Sequence, residues 1–480
     1  MLLLFTVLIP VIGGPVLAKA VRDPAKSRLG FAALVILTDI MLAISLASGS
    51  SVTAARLADR VTLTFAFDGL GRLFAVVIAV MYTAVCFYAF EYMEHDERPH
   101  VFFAFYFISY GMLLAVSMSA NLVTLYLAFE FLTLTTVPLV LHELTKDAIA
   151  AGLKYLFYSV GGALMGLLAV FFVYSCSTGD ASFVKGGFVD PEMMAARPQV
   201  FLAVIMVGLI GFGTKAGMYP MHGWLPSAHP IAPAPASALL SGIVAKAGVL
   251  AIVRLIYYSV GTEILRGTWV QTAWMCLTML TIFMGSMMAF REKILKKRLA
   301  YSTVSQISYI LFGLSILSDD GLRGGMLHLM QHAASKGCLF LVAGIFIHKL
   351  GIRTVDDLKG IGRRMPVTLW CFTIAALSLV GIPPLGGFIS KWVIASASLD
   401  SGMGVLSYLG PVILLISALL TGGYLLPITV GAFFPEHGTE EERAESAEPT
   451  LLMTAPMMVL CVCTLLVGLF GPAAAGAFGL

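Results

Sequence analysis

Lys215, Lys246, Lys336 and Lys391 lie inside segments otherwise apolar enough to span a membrane, and Glu130 lies inside another. Each such charge at bilayer depth costs about 2.5–3.5 kcal/mol on insertion scales, so five unpaired groups would cost on the order of 10 kcal/mol or more. A chain that keeps them must pair or hydrate them. Burial weakens an ammonium's hold on its proton and a neighbouring carboxylate strengthens it. Glu130 and Lys215 therefore read as an ion pair whose making and breaking moves a proton, with a plain structural salt bridge as the alternative. Lys246 has small neighbours and no local carboxylate, which suits a relay better than a side chain snorkelling to the interface.

His328, His332 and Lys336 recur at every fourth position, on one helix face. Histidine exchanges protons near neutral pH, so a stripe of this kind fits transfer through water. Zinc is the rival for two histidines so spaced, but no third ligand follows at a matching interval and no HExxH is present. A hydrogen-bonded core role is the bland reading of either histidine alone. Asp39, Glu91 and Glu94 read as capping or interface charges, the acidic run 436–448 as a solvated loop, and Glu143 as either a helix-end charge or a proton-access group.

Elements that could hold such a row follow from composition. The chain has 480 residues, 59% hydrophobic and only 12% charged, against roughly 25% charged in soluble domains. This excludes a soluble enzyme, and a net charge of +3 gives no reason to expect nucleic acid. The seven cysteines are scattered without cluster-binding spacing, so no iron–sulfur centre or disulfide framework is expected, and with no nucleotide or haem motif either, no cofactor or metal is expected. Residues 1–18 are apolar and precede the first basic residues, the reverse of a secretory signal.

Runs long enough to span fall at roughly 2–19, 29–48, 70–92, 101–118, 121–142, 152–175, 200–218, 231–258, 270–290, 302–318, 325–349, 367–398, 405–434 and 451–473. The expected fold is an all-α integral membrane protein of about fourteen helices. Eighteen of the thirty Lys and Arg residues fall in the loops of one face and six in those of the other. The positive-inside rule makes the richer face cytoplasmic and puts both termini outside, in a cell (inner) membrane.

The seventh and twelfth spans are punctuated alike. Gly211-Phe-Gly-Thr-Lys215-Ala-Gly-Met-Tyr-Pro220 and Gly381-Ile-Pro-Pro-Leu-Gly-Gly-Phe-Ile-Ser-Lys391 each set a lysine beside a Gly/Pro break. Matching breaks mark inverted-repeat transporters, whose sites lie at interrupted helices. The expected units are three N-terminal helices (1–100), a first inverted repeat of helices 4–8 (101–258), a second of helices 9–13 (270–434) and a last helix (451–480).

The segment Lys215-Ala-Gly-Met-Tyr-Pro-Met-His222-Gly-Trp-Leu-Pro-Ser-Ala-His229-Pro, with the His328/His332/Lys336 stripe and the break before Lys391, resembles the antiporter-like subunits of respiratory complex I. Mrp-type sodium/proton antiporter subunits and membrane subunits of energy-converting hydrogenases share the resemblance, which covers nearly the whole chain. It implies a water-linked midplane row through Glu130, Lys215, Lys246, His328, His332, Lys336 and Lys391. His222, His229 and Glu143 are the accompanying broken-helix or access groups. It also implies companion membrane subunits and protons as the transported ion, with sodium left open. Lysine at 391 sets the chain apart from the complex I branch that carries an acid there. The alternatives are thus an Mrp- or hydrogenase-type proton-translocating subunit, a proton-pumping complex I subunit, and a structural subunit without transport of its own.

Overall fold

The computed structural model describes the chain apart from residues 22, 59–60, 178, 180, 435–445 and 480. Most of the acidic run 436–448, and Arg22, Arg60 and Arg443 of the charge census, lie outside the described residues. Glu448, at the end of that run, is anchored rather than solvated: its carboxylate accepts from the Val367 and Thr368 amides and the Thr368 hydroxyl. It satisfies amides that a helix start leaves unpaired.

The first helices are α1 (Leu2–Ala20) and α2 (Pro24–Ser48), the second capped by the Asp23 carboxylate. A hairpin follows that the sequence reading did not place, β1 (Ser51–Ala58) and β2 (Val61–Ala66), paired antiparallel. Its segments are too short to span, and alternating Thr and apolar residues such as Val61-Thr-Leu-Thr-Phe suit a strand. The Thr64 amide donates to Thr124 Oγ1 (2.9 Å), and Asn121 Nδ2 donates to the Thr62 carbonyl (3.0 Å). The hairpin is thereby fixed to the start of a later helix.

Next come α3 (Gly69–Tyr92), α4 (Pro99–Ser117), α5 (Leu122–Val140) and α6 (Lys146–Ser175). Asp68, Asn121 and Thr145 cap α3, α5 and α6 through side-chain oxygens, as short polar residues at helix starts do. Then α7 (Pro198–Ala216) ends at Gly217, and a turn leads to the short α8 (Leu225–Ile231). The helical stretch α9 (Ala234–Val260) contains two widened π turns, at Leu240–Val244 and Ile256–Val260. The chain continues through α10 (Trp269–Arg291), α11 (Leu295–Ser315) and α12 (Asp319–Leu350). It closes with α13 (Pro366–Val380), α14 (Gly386–Leu399), α15 (Val405–Phe433) and α16 (Leu451–Ala477).

Among the described residues twelve helices are long and apolar enough to cross a membrane, and α13 is a shorter apolar one. Several boundaries differ from the expected spans, with α2, α6 and α12 beginning ahead of 29, 152 and 325 at Pro24, Lys146 and Asp319. The run 367–398 is divided between α13 and α14 at Gly381, and α11 begins earlier than 302, taking in the basic residues Lys296, Lys297 and Arg298. Burial orders the helices from core to rim. The most apolar window of α9 is wholly buried and that of α12 is 78% buried, against 28% for α1 and 33% for α15. Lys246 and Lys336 therefore stand on two well-enclosed helices, and α11 is likewise buried along most of its length.

Candidate functional site

Lys215 sits in the last turn of α7, fully enclosed. Its Nζ donates to Thr133 Oγ1 (2.6 Å) and Tyr155 OH (3.4 Å), and lies 5.0 Å from the Phe129 ring centroid. Tyr155 OH is also hydrogen-bonded to Thr136 (2.8 Å), so hydroxyls of α5 and α6 surround the ammonium. Glu130 precedes Thr133 by about one turn of α5, yet its Oε1 has no hydrogen-bond partner, and among the described residues no ion pair joins it to Lys215. The structure thus puts a hydroxyl where the sequence put a carboxylate. Glu130, at one end of the row, acts on Lys215 through its field rather than through a direct contact.

α9 packs directly against this lysine. A Cβ on Gly248 would lie 2.6 Å from the Phe212 carbonyl oxygen, 2.8 Å from the Ala216 nitrogen and 3.2 Å from Lys215 Cβ. Only glycine permits this approach, which brings the Lys246 turn alongside Lys215.

Lys246 begins the regular part of α9 immediately after the first π turn. There the Ala245 amide reaches back to the Leu240 carbonyl (3.0 Å), so it does not occupy the Ser241 carbonyl. Lys246 Nζ donates to that Ser241 carbonyl. The Ser241 hydroxyl bonds Thr303 Oγ1 (2.7 Å), Thr303 donates to the Leu299 carbonyl (2.9 Å), and Lys336 Nζ donates to the same carbonyl (3.0 Å). The two central lysines are joined through α9, α11 and α12 by protein atoms alone.

His332 and His328 continue from Lys336 along α12, their rings stacked with centroids 6.1 Å apart. His328 bonds Ser390 through Nδ1 (2.9 Å) and Gln306 Oε1 through Nε2 (3.2 Å), and stacks on Tyr309 at 5.2 Å. Lys391 Nζ lies over the other end of the same contact, 5.0 Å from the Tyr309 centroid. It donates to the Leu379 and Val380 carbonyls at the end of α13 (2.6 and 3.0 Å). Both ring nitrogens of His332 and Nε2 of Gln306 are buried without a protein partner. Such groups cost about 1–3 kcal/mol each when unsatisfied, so this stretch is suited to bridging water.

Matching breaks flank the row. Gly217 ends α7 with φ +78° and Gly381 ends α13 with φ +97°, a left-handed conformation that favours glycine. Past the first break, His229 is buried against Phe340 with both ring nitrogens unpartnered. His222 stacks on Tyr219 nearer the surface, and Glu143 is exposed after α5. One residue escaped the sequence reading. Lys296, counted there among loop charges, is only 4% exposed and donates to the Ala232 carbonyl (2.5 Å) between α8 and α9. Its position beside Lys297 and Arg298 hides it, because hydropathy averages the three.

Residues 119–420 match the family described as "NADH:quinone oxidoreductase/Mrp antiporter, TM", and residues 57–103 match "NADH-Ubiquinone oxidoreductase (complex I), chain 5 N-terminus". The chain belongs to the NADH:quinone oxidoreductase/Mrp antiporter family. The larger match contains every member of the row, from Glu130 to Lys391. This antiporter-family chain is 31% identical to the N-type subunit of the NADH-quinone oxidoreductase of Desulforudis audaxviator, over 84% of this chain and 81% of that one. It is 28% identical to the D-type subunit of the Na(+)/H(+) antiporter of Alkalihalophilus pseudofirmus, over 97% and 93% of the two chains. Its fold matches a chain in the structure of the Mrp complex from Dietzia sp. DQ12-45-1b with a TM-score of 0.83 at 23% identity, covering 100% of this chain and 96% of the other.

Proposed function

We propose that this chain is a proton-translocating, antiporter-like subunit of a multi-subunit membrane complex. Protons move along the row Glu130, Lys215, Lys246, Lys336, His332, His328 and Lys391. The observation that carries this is the bridge from Lys246 through Ser241, Thr303 and the Leu299 carbonyl to Lys336. Two enclosed ammonium groups at the ends of one short hydrogen-bonded chain feel each other's charge, so a proton gained at one favours release at the other. Hydroxyls at Thr133 and Tyr155 extend the row to Lys215, and the His328–Ser390–Tyr309 contacts extend it to Lys391.

Further elements of this reading are the fourteen-span topology, with α13 and α14 counted as one interrupted span. Spans 4–8, which are α4–α7 and α9, and spans 9–13, which are α10–α15, form the inverted repeats, and both termini lie outside the cell membrane. The paired left-handed glycines at 217 and 381 support the repeats, and the Lys/Arg asymmetry supports the orientation. His222, His229 and Glu143 serve as access groups at the first break.

Near-complete two-way coverage against a D-type Na(+)/H(+) antiporter chain favours an Mrp-type assembly, while the 31% identity to an N-type oxidoreductase chain favours a complex I-type one as the second reading. The companions that copurify with the chain separate the two. Proton uptake by vesicles carrying the assembled complex tests transport itself. Lys246→Ala and Lys336→Met are expected to abolish uptake while the complex still assembles. Unchanged uptake in both would leave only a structural role.

A further inference from the structure

Asp39 lies well inside α2, far from either cap, and so belongs to bilayer depth rather than to an interface. Both carboxyl oxygens accept hydrogen bonds, Oδ2 from Thr83 Oγ1 (2.5 Å) and Oδ1 from Tyr110 OH. The donors are held from behind: Tyr110 stacks on Tyr82 with centroids 4.6 Å apart, and Tyr82 OH bonds Ser109 (3.0 Å). Both oxygens are thus engaged as acceptors, yet among the described residues no lysine, arginine or histidine forms an ion pair with Asp39. The proton row does not use it.

Asp39 and Thr83 line a groove of about 620 Å³ between α2, α3 and α16, otherwise walled by apolar residues such as Val80, Phe87 and Pro456. Val80 and Val459 of this lining are exposed and apolar, and Ile36 and Ile40, near Asp39 in the sequence of α2, are exposed as well. Alanines 79, 84 and 455 floor the groove, and small residues let a second helix backbone approach closely. Acyl chains offer no counter-charge to a carboxylate, and lipid headgroups stay at the interface. A side chain carried on a neighbouring helix reaches that depth.

We propose that this groove seats a membrane-spanning helix of another subunit, carrying a lysine or arginine at the level of Asp39. The inference rests on the multi-subunit reading above. It commits to a helix whose one basic residue pairs with Asp39 and whose remaining contact face is apolar and small.

The test is photocrosslinking in the complex purified from native membranes, with p-benzoylphenylalanine replacing Val80. The expected product joins this chain to one membrane-spanning segment that contains a Lys or Arg. Asp39→Lys is then expected to release that partner, and an acid in place of its basic residue to restore it. Asp39→Asn, which keeps shape and hydrogen bonding, is expected to weaken retention without preventing insertion of the chain. Crosslinks confined to lipid in an otherwise intact complex would overturn the groove proposal alone. A chain that purifies without companions would overturn the assembly reading and this one with it.

Discussion

The ammonium of Lys391 closes the carboxyl end of the helix that precedes its own, donating to Leu379 and Val380 across the Gly381 break. The last carbonyls of a helix carry partial negative charge, so a cation there is stabilised without a carboxylate partner. This explains how a lysine is tolerated at this break in an apolar run with no acid beside it. A carboxylate in the same pocket would face two carbonyl oxygens. Lys391→Glu is therefore expected to lower thermal stability more than Lys391→Met, by about 1–3 kcal/mol. Unfolding curves of the solubilised chain decide it, and equal stability of the two variants would contradict the capping role.

Ser241 and Thr303 carry the bridge between Lys246 and Lys336 through one 2.7 Å contact. Ser241→Ala and Thr303→Val each remove that contact with little change in volume. Each is expected to slow proton uptake about tenfold, and the double variant no further, because residues of one network are strongly coupled. Fully multiplicative losses would show that the two hydroxyls act separately.

Gly248 holds α9 against the Lys215 turn. In Gly248→Ala the new methyl meets backbone atoms that cannot rotate away, at a cost of about 1–3 kcal/mol. Both stability and transport are expected to fall. Gly161→Ala on α6, where nothing lies within 4 Å, is the matched control and should be silent.

Asp68, just before α3, supplies a pH-dependent term. Burial alone would raise its pKa, but the Arg254 guanidinium, bonded to both carboxyl oxygens at 2.5 and 2.7 Å, outweighs this and holds it below the ordinary 3.8. A depressed folded-state pKa contributes stability above the unfolded value, lost as pH falls through the folded one. Melting temperature should therefore drop on acidification below about pH 4, and Asp68→Asn should flatten that drop. An unchanged acid limb in the variant would remove Asp68 from the account.

Much of the site was legible because membrane burial makes charge conspicuous. Four lysines in apolar runs, the fourfold spacing of His328, His332 and Lys336, and two Gly/Pro breaks are visible without coordinates. Partners are another matter. Glu130 and Lys215 attract by charge on paper, but Thr133 and Tyr155 lie on the faces that meet the ammonium. Which side chain faces which depends on helix rotation, and hydropathy does not carry rotation. Lys296 was lost for the converse reason, since its basic neighbours disguise an enclosed side chain as a loop charge. The hairpin at 51–66 lay in a stretch too short to span, where a search for spans is blind.

The widened turn at Leu240–Val244 has a consequence for how charge is felt in α9. With the Ala245 amide bonded to Leu240, the Lys246 ammonium takes up an acceptor belonging to its own helix. Side chain and main chain are then parts of one ladder. A proton leaving Lys246 slackens a rung of the backbone itself, so the most enclosed helix of the molecule senses occupancy directly, with no intermediary and no moving domain.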